Sequence, residues 1–205
     1  MTLTGLALRG VKYFWRTNLA TALGVAAAVA VLAGAYTVGE SVRGSLRDLV
    51  LARIGNTNYA LVSSGYYREK LAGDCPLISL EAVVTQDSGG GRASRVAVYG
   101  VDQRFFQFHQ KAVDAPGRSQ FLLSEALAKE IGAKAGDSIL IRVPRASAIH
   151  MESLHGHKEA AGRTIRGTMR ESIARAAMGE FALRPQQGPV LAIFVNRSGC
   201  SATWN

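Results

Sequence analysis

The densest group of side chains that could bind a metal lies between residues 150 and 159. It contains His150, Glu152, His155 and His157, and imidazole and carboxylate groups are common ligands of zinc and copper. However, the stretch AIHMESLHGHKEAAGR reads as a polar loop between strands, whereas a metal centre needs rigid contacts around its ligands. We therefore predict a solvated loop, and a metal-dependent enzyme outside the cytoplasm is the weakest of three functional hypotheses.

The sequence offers little else for catalysis or cofactor binding. It has no G-x-x-x-x-G-K-[ST] phosphate-binding loop, no G-x-S-x-G elbow and no H-E-x-x-H pair. The glycines at 89–91 precede no helix and suit a turn between strands. Ser124 has no base that the sequence reveals and is better placed as a helix cap. We predict no catalytic residue, no cofactor and no enzyme activity.

The chain is basic, with 24 Lys plus Arg against 15 Asp plus Glu and a formal net charge of +9. Its basic residues form no long run and do not alternate with aromatic residues, so we predict no nucleic-acid partner. The two cysteines, Cys75 and Cys200, do not make a disulfide framework. Their redox state stays open.

Residues 17–39 form an uncharged apolar stretch. As a helix they would extend about 34 Å, enough to cross a hydrocarbon core of about 30 Å. Arg9, Lys12 and Arg16 precede the stretch, and basic residues favour the cytoplasmic side of a membrane. We predict a cytoplasmic stub at 1–16, a transmembrane helix at 17–39 in the cell (inner) membrane, and a main domain on the periplasmic or extracytoplasmic side.

The apolar stretch has a second interpretation. Ala33-Gly34-Ala35 is an A-x-A triplet that follows an apolar run with a basic front, which is also typical of a cleaved secretory signal peptide. The run is longer than that of most signal peptides, so a retained anchor is favoured. Both interpretations place the later residues outside the cytoplasm.

Small residues recur every four positions in this stretch, at Ala22, Ala26, Ala30 and Gly34. Such a stripe lets helices pack closely in lipid, although an alanine-rich helix also produces one by chance. Beyond the stretch, residues 40–55 keep an apolar periodicity close to 3.6 and end at a glycine. We therefore predict a helical stalk that continues the membrane helix.

The sequence from 56 to 195 predicts an α+β domain. Its clearest helix is 124–132, with Ser124 as N-cap and Gly132 after the last turn. Residues 103–109 predict a compact aromatic turn, and residues 66–72 predict a short helical turn. Strands are predicted at 59–63, 78–86, 94–101, 138–143, 164–173 and 190–195.

Three stretches resemble one known family. In LLSEALAKEIGAKAGDSILIRV (122–143) a helix is followed by a glycine–aspartate pair and a strand. The positions that match the family's pattern there are Ser124, Glu125, Leu127, Ala128, Gly132, Gly136 and Asp137. GRASRVAVYGVDQRFFQFH (91–109) is similar to the family's strand, G-V-D turn and aromatic helix. ALRGVKYFWRTNLATALGVAAAVAV (7–31) resembles its first membrane helix.

The family is that of ABC-transporter permeases of the MacB/FtsX/LolC type, and the resemblance covers most of residues 5–195. It implies a first transmembrane helix followed by a MacB-like periplasmic core domain. It also implies three partners: the lipid bilayer, a second permease subunit in a homo- or pseudodimer, and a separate cytoplasmic ABC ATPase that hydrolyses ATP. The implied activity is export or extraction of amphiphilic substrates.

The chain departs from the family after Val195. Such permeases have three further membrane helices, whereas this sequence ends in an atypical polar tail, NRSGCSATWN (196–205). We therefore expect a truncated or frameshifted fragment whose core domain is incomplete. The alternative hypothesis is a membrane-anchored or secreted binding module without transport activity.

Overall fold

A computed structural model describes residues 3–63, 75–87, 89–143 and 163–198. The chain divides into two compact units, Met1–Val50 and Leu51–Asn205. One long apolar helix occupies most of the first unit, and a mixed α/β region built on a sheet occupies the second. This layout confirms the coarse prediction of an N-terminal apolar helix followed by an α+β domain.

Two helices open the chain. Helix α1 spans Leu3–Tyr13 and helix α2 spans Trp15–Ile54, so the stub before the apolar stretch is itself helical. Helix α2 contains 40 residues and is therefore about 60 Å long. It is alanine-rich and contains no proline, and the apolar stretch and predicted stalk are one continuous helix. It ends at Gly55, whose φ of +56° is a left-handed conformation that favours glycine.

Within the described ranges, six strands and three short helical segments follow. The strands are β1 (Ile78–Gln86), β2 (Arg92–Val101), β3 (Gln120–Ser124), β4 (Ser138–Val143), β5 (Arg163–Ile173) and β6 (Ala192–Asn196). The helices are α3 (Gln103–Phe108) and α4 (Glu125–Ile131), with one 3-10 turn at Arg175–Ala177.

The strands close into a barrel in the order β1-β2-β6-β3-β5-β4, and β4 pairs back to β1. The β2–β6 and β3–β5 pairs are parallel, and the other four pairs are antiparallel. The sequence predicted the α+β class but not the closure. Closure removes the exposed strand edges that an open sheet would present.

Five of the six predicted strands are confirmed, with ends that agree within two residues. The predictions for 78–86 and 138–143 coincide with β1 and β4. Strand β3 was missed because its sequence, QFLLS, runs directly into α4 without a turn. Its residues 121–124 are all buried, so it lacks the alternation that marks a half-exposed strand.

The strand predicted at 59–63 is wrong. These residues form no strand, and Tyr59 and Val62 are 96% and 82% exposed. The six strands of the barrel pair with one another, so no strand edge is left for this apolar segment. The helical turn predicted at 66–72 lies outside the described residues. The aromatic turn at 103–109 contains the short helix α3.

One part of the hydrophobic core fills the barrel. Alternate side chains of a barrel strand point inward, and those of the six strands form one buried cluster together with the apolar face of α4. The largest fully buried members of this cluster are Phe121, Leu123, Leu127, Ile139, Ile141 and Ile193. Helix α4 therefore packs its apolar face onto the core inside the barrel.

A second part of the core lies on the outer face of β2, β6 and β3. There, Tyr99, Leu122 and Phe194 pack against side chains of α3 and of the segment 178–190. Strand β6 contributes Ile193 to the first cluster and Phe194 to the second. Because β6 is buried on both faces from Ala192 to Val195, its sequence is apolar over these four residues.

The glycine–aspartate pair makes the turn before β4. Gly136 has a φ of +95°, and its amide donates to the Met169 carbonyl at 2.7 Å. Asp137 Oδ2 accepts hydrogen bonds from the Lys134 amide at 2.8 Å and from Gln86 Nε2 at 2.7 Å. The carboxylate thereby ties the turn before β4 to the end of β1.

Replacing Asp137 by Ala is expected to lower the free energy of unfolding by about 2 kcal/mol, because two donors lose a charged acceptor. Asp137→Asn keeps one acceptor oxygen and should lose about half as much. Pulse proteolysis of the full chain in urea measures both values, with the exposed Asp114→Ala as the matched control. Equal stability of Asp137→Ala and the control would contradict this role.

Candidate functional site

Helix α2 is long and apolar enough to cross a membrane, and its apolar window is not buried within the protein. Two of its threonines pair with carbonyls of the same helix. Thr21 Oγ1 donates to the Thr17 carbonyl and Thr37 Oγ1 to the Gly34 carbonyl, both at 2.9 Å. Internal pairing of polar groups is what a hydrocarbon environment requires. The helix is therefore compatible with a transmembrane position.

The basic residues predicted to set the topology precede the apolar stretch on two helices. Arg9 and Lys12 lie on α1 with exposed side chains. Arg16 lies in the first turn of α2, with its guanidinium 5.7 Å from the ring centre of Trp15. Basic and aromatic side chains thus adjoin at this end of α2, as at a membrane interface. The orientation across a membrane stays a prediction.

The small-residue stripe is exposed along one helix. Ala22, Ala26, Ala30 and Gly34 all lie on α2 with exposed side chains. A Cβ added at Gly34 would meet no atom within 4 Å. The stripe is therefore accessible for packing against another helix, and that packing stays a prediction.

The residues considered as metal ligands, His150, Glu152, His155 and His157, lie outside the described residues. Within the ranges that the structure describes, no group of three or more His, Cys, Asp or Glu side chains is placed to hold a metal ion. Metal binding at these four residues therefore stays a prediction.

A buried arginine, Arg53, lies at the end of α2 and was not predicted from the sequence. Arg53 is only 6% exposed, and its guanidinium donates to the Gln186 carbonyl, to the Gly188 carbonyl at 2.7 Å and to Glu180 Oε2 at 3.3 Å. The sequence does contain a sign of this burial, because position 53 lies one helical turn after Leu49 and therefore on the apolar face of the stalk.

The residues after α2 contact helix α3. The Asn56 amide donates to His109 Nδ1 at 3.2 Å, and Asn56 Nδ2 donates to the Phe108 carbonyl at 3.0 Å. His109 is buried, and its ring lies 4.7 Å from that of Phe105 between ring centres. The contact with Asn56 therefore requires a neutral imidazole whose Nδ1 accepts a hydrogen bond.

Burial lowers the pKa of His109 to about 4, and the positive charge of Lys111 acts in the same direction. The ordinary pKa of histidine is about 6.5, so between pH 6.5 and 4 the unfolded chain binds a proton that the folded chain does not. Stability contributed by this residue is present above pH 6.5 and is lost as the pH falls. The expected loss in the free energy of unfolding is about 2 kcal/mol at pH 5.

Urea unfolding of the full chain between pH 4.5 and 8 measures this loss. His109→Asn is the matched variant, because the Oδ1 of Asn can accept the Asn56 amide but does not titrate. We expect this variant to show a flatter dependence on pH below 6.5. An unchanged slope in His109→Asn would assign the pH dependence to other groups.

Asp102 has a structural role before α3. Its Oδ1 accepts the Arg104 amide at 3.0 Å, and its Oδ2 lies 2.6 Å from Arg104 and 3.3 Å from Arg197.

Burial raises the pKa of the Cys75 thiol, and the negative charge of Asp102 adds to this rise. A raised pKa makes the thiol a weak nucleophile.

A shallow groove of about 530 Å³ lies beside the end of β5 and is lined by residues 112–114, 170–174 and Ala177. Arg170 is the longest of the charged side chains that line it. The Arg170 guanidinium donates to the carbonyls of Asp114 and Ala115 at 2.8 and 3.2 Å. It therefore holds the loop before β3 in place.

Ser124 acts as the predicted helix cap. Its Oγ accepts the Leu127 amide at 3.2 Å, and it also accepts the Ala192 amide at 3.1 Å and donates to the Val190 carbonyl at 2.9 Å. The residue therefore joins α4 to β6 as well as capping α4. The second role depends on residues more than 60 positions away and could not be read from the local pattern.

No protein-family model matches this sequence, and no curated protein matches it at a significant level. The permease resemblance therefore rests on the motifs in residues 7–31, 91–109 and 122–143.

Proposed function

We propose that this chain is a membrane-spanning permease subunit of an ABC transporter, or the N-terminal part of one, that exports or extracts amphiphilic substrates. The observation that carries the proposal is the length of α2, which contains 40 residues. The helix is about 60 Å long, and crossing a hydrocarbon core of about 30 Å requires half of that length. The other half can serve as a helical stalk outside the bilayer.

The segment 122–143 supports the same proposal. Ser124, Gly136 and Asp137 are among the positions that match the permease pattern, and each of them has a structural role in this barrel. Motifs with structural roles favour a shared architecture and carry no information about the substrate. The chain has no phosphate-binding loop, so ATP hydrolysis belongs to a separate cytoplasmic ATPase.

Orientation in the membrane can be measured directly. Alkaline phosphatase fused after residue 196 is expected to be active, because this enzyme works only outside the cytoplasm. Replacing Arg9, Lys12 and Arg16 by Glu should lower that activity, since basic residues hold their flank inside. A cytoplasmic reporter that is active in the same place would contradict the orientation.

The same fusion distinguishes an anchor from a signal peptide. A retained α2 keeps the chain in the membrane pellet after an alkaline carbonate wash, and the mass of the purified protein includes the N-terminus. Release into the soluble fraction with cleavage after Ala35 would instead favour the secreted binding module.

Transport function requires an ATPase partner and the remaining membrane helices. We expect the DNA after codon 205 to encode three more hydrophobic segments in one of its frames, and the product with those segments to co-purify with a P-loop ATPase. A version with α2 residues 17–39 replaced by an unrelated membrane helix controls for anchoring alone. Absence of both the segments and the ATPase would favour the binding module.

A further inference from the structure

The end of α2 is attached to the barrel domain at two places that are separate in sequence. Arg53 contacts the segment around Glu180 and Gly188, whereas Asn56 contacts His109 and the carbonyl of Phe108. Between these attachments lies Gly55. A glycine that ends a long helix is usually a point where the chain can bend. The contacts around Gly55 therefore decide whether the chain bends there.

Gly55 is closely surrounded. A Cβ at this position would lie 2.6 Å from His109 Nδ1 and 2.8 Å from the terminal carbon of Met178. Gly55, Gln110 and Met178 all have left-handed backbone, with φ of +56°, +53° and +71°. Three helical segments thus end next to one another, and the absence of a side chain at Gly55 allows close packing there.

The charged side chain of Arg53 restricts the orientation in which this turn can pack. A buried apolar side chain would fill the same space at a lower desolvation cost, whereas the planar guanidinium satisfies its donors in one orientation only. Glu180 Oε2 accepts from Arg53 and also lies 3.5 Å from Arg175. Among the described residues Arg53 Nε has no hydrogen-bond partner, so the guanidinium is held through its two terminal nitrogens.

We propose that residues 53–56 form a rigid joint that fixes residues 51–54, the final turn of α2, on the barrel, so that Gly55 is not a hinge within the second unit. The joint consists of Arg53 with Glu180 on one side and Asn56 with His109 on the other. Its use rests on the proposed function, because a transport component that relays motion needs this last turn to be held firmly within the second unit. The joint itself does not depend on the presence of an ATPase.

Spin-label distances in the full chain test the joint. Cys75 and Cys200 are replaced by Ser, and labels are placed at the exposed positions 51 and 81, both within the second unit. The chain is reconstituted in lipid nanodiscs without any ATPase. We expect a single narrow distance distribution for the parent chain. A broad distribution in the parent would by itself overturn the proposal.

Variants identify the contacts that hold the joint. Arg53→Met keeps most of the volume of the side chain but removes its hydrogen-bond donors. We expect the distribution of label-to-label distances to broaden at least about twofold, while the barrel amides stay protected from hydrogen exchange. Amides 51–57 should exchange at least about tenfold faster. The matched control is Arg47→Met, an exposed position on the same helix, which should change neither readout.

Two results would show that Arg53 merely packs. They are an unchanged distance width in Arg53→Met, and equal exchange of amides 51–57 in that variant and the control. If Arg53→Met does not fold, Glu180→Gln removes the counter-charge and should broaden the distribution in the same direction. A narrow parent distribution together with a failed ATPase capture would refute the transport proposal and leave the joint intact.

Discussion

Replacing Phe194 by Ala is expected to lower the free energy of unfolding of the barrel domain by about 3–5 kcal/mol. Phe194 is fully buried on the outer face of β6. Its ring centre lies 5.6 Å from that of Tyr99 and 5.9 Å from that of Phe105. Truncation would remove these contacts and leave a cavity among rigid rings that cannot collapse into it.

The location of Phe194 strengthens this expectation. Strand β6 lies between β2 and β3, and Phe194 is paired in register with Tyr99 on one side and Leu122 on the other. A cavity at this position therefore loosens the packing of α3 on the sheet. Phe194→Leu keeps most of the apolar volume and should cost about 1–1.5 kcal/mol.

Pulse proteolysis in urea on the full chain measures these differences. Phe108→Ala is the matched control, because Phe108 is 39% exposed and should cost less than about 1 kcal/mol. A loss in Phe194→Ala no larger than that of the control would mean that the outer cluster contributes little to stability.

Ser124→Ala is expected to cost about 3–4 kcal/mol, although it removes one oxygen atom. The Oγ of Ser124 is fully buried and pairs with two amides and one carbonyl. Without it, the amides of Leu127 and Ala192 and the carbonyl of Val190 lose a partner where water does not reach. Each buried polar group left unpaired costs about 1–3 kcal/mol.

The same unfolding assay applies to Ser124→Ala, with Glu130→Ala as control on the exposed face of α4. We expect the control to lie within about 0.5 kcal/mol of the parent chain. A loss of only about 1 kcal/mol in Ser124→Ala would match a simple helix cap and would show that the contact with β6 is replaced by other partners.

Local patterns in the sequence were sufficient for much of the secondary structure. Ser124 and Gly132 delimit α4 because a hydroxyl caps free amides and glycine adopts left-handed backbone without strain. Strands 78–86 and 138–143 were placed correctly because their outward and inward residues alternate between polar and apolar. The stalk was predicted because apolar residues repeat close to every 3.6 positions up to Gly55.

Errors arose where a segment's environment departs from its local pattern. Residues 59–63 form a short apolar run like that of a buried strand, yet the barrel strands pair with one another and leave this segment exposed. Strand β3 was missed because it is buried at four of its five positions and so shows no alternation. Both errors concern which strands pair with which, and that information is distributed over the whole chain.

The sequence alone determined an apolar helix long enough to span a membrane, a helical stalk and an α+β domain. Only the tertiary structure decided that the sheet closes, that Arg53 is buried and that His109 accepts a hydrogen bond from the chain after α2. The physical reason is distance along the chain. Helix propensity and capping act within a few residues, whereas Arg53 meets Glu180 across 127 positions and acquires its role only when the fold brings the two together.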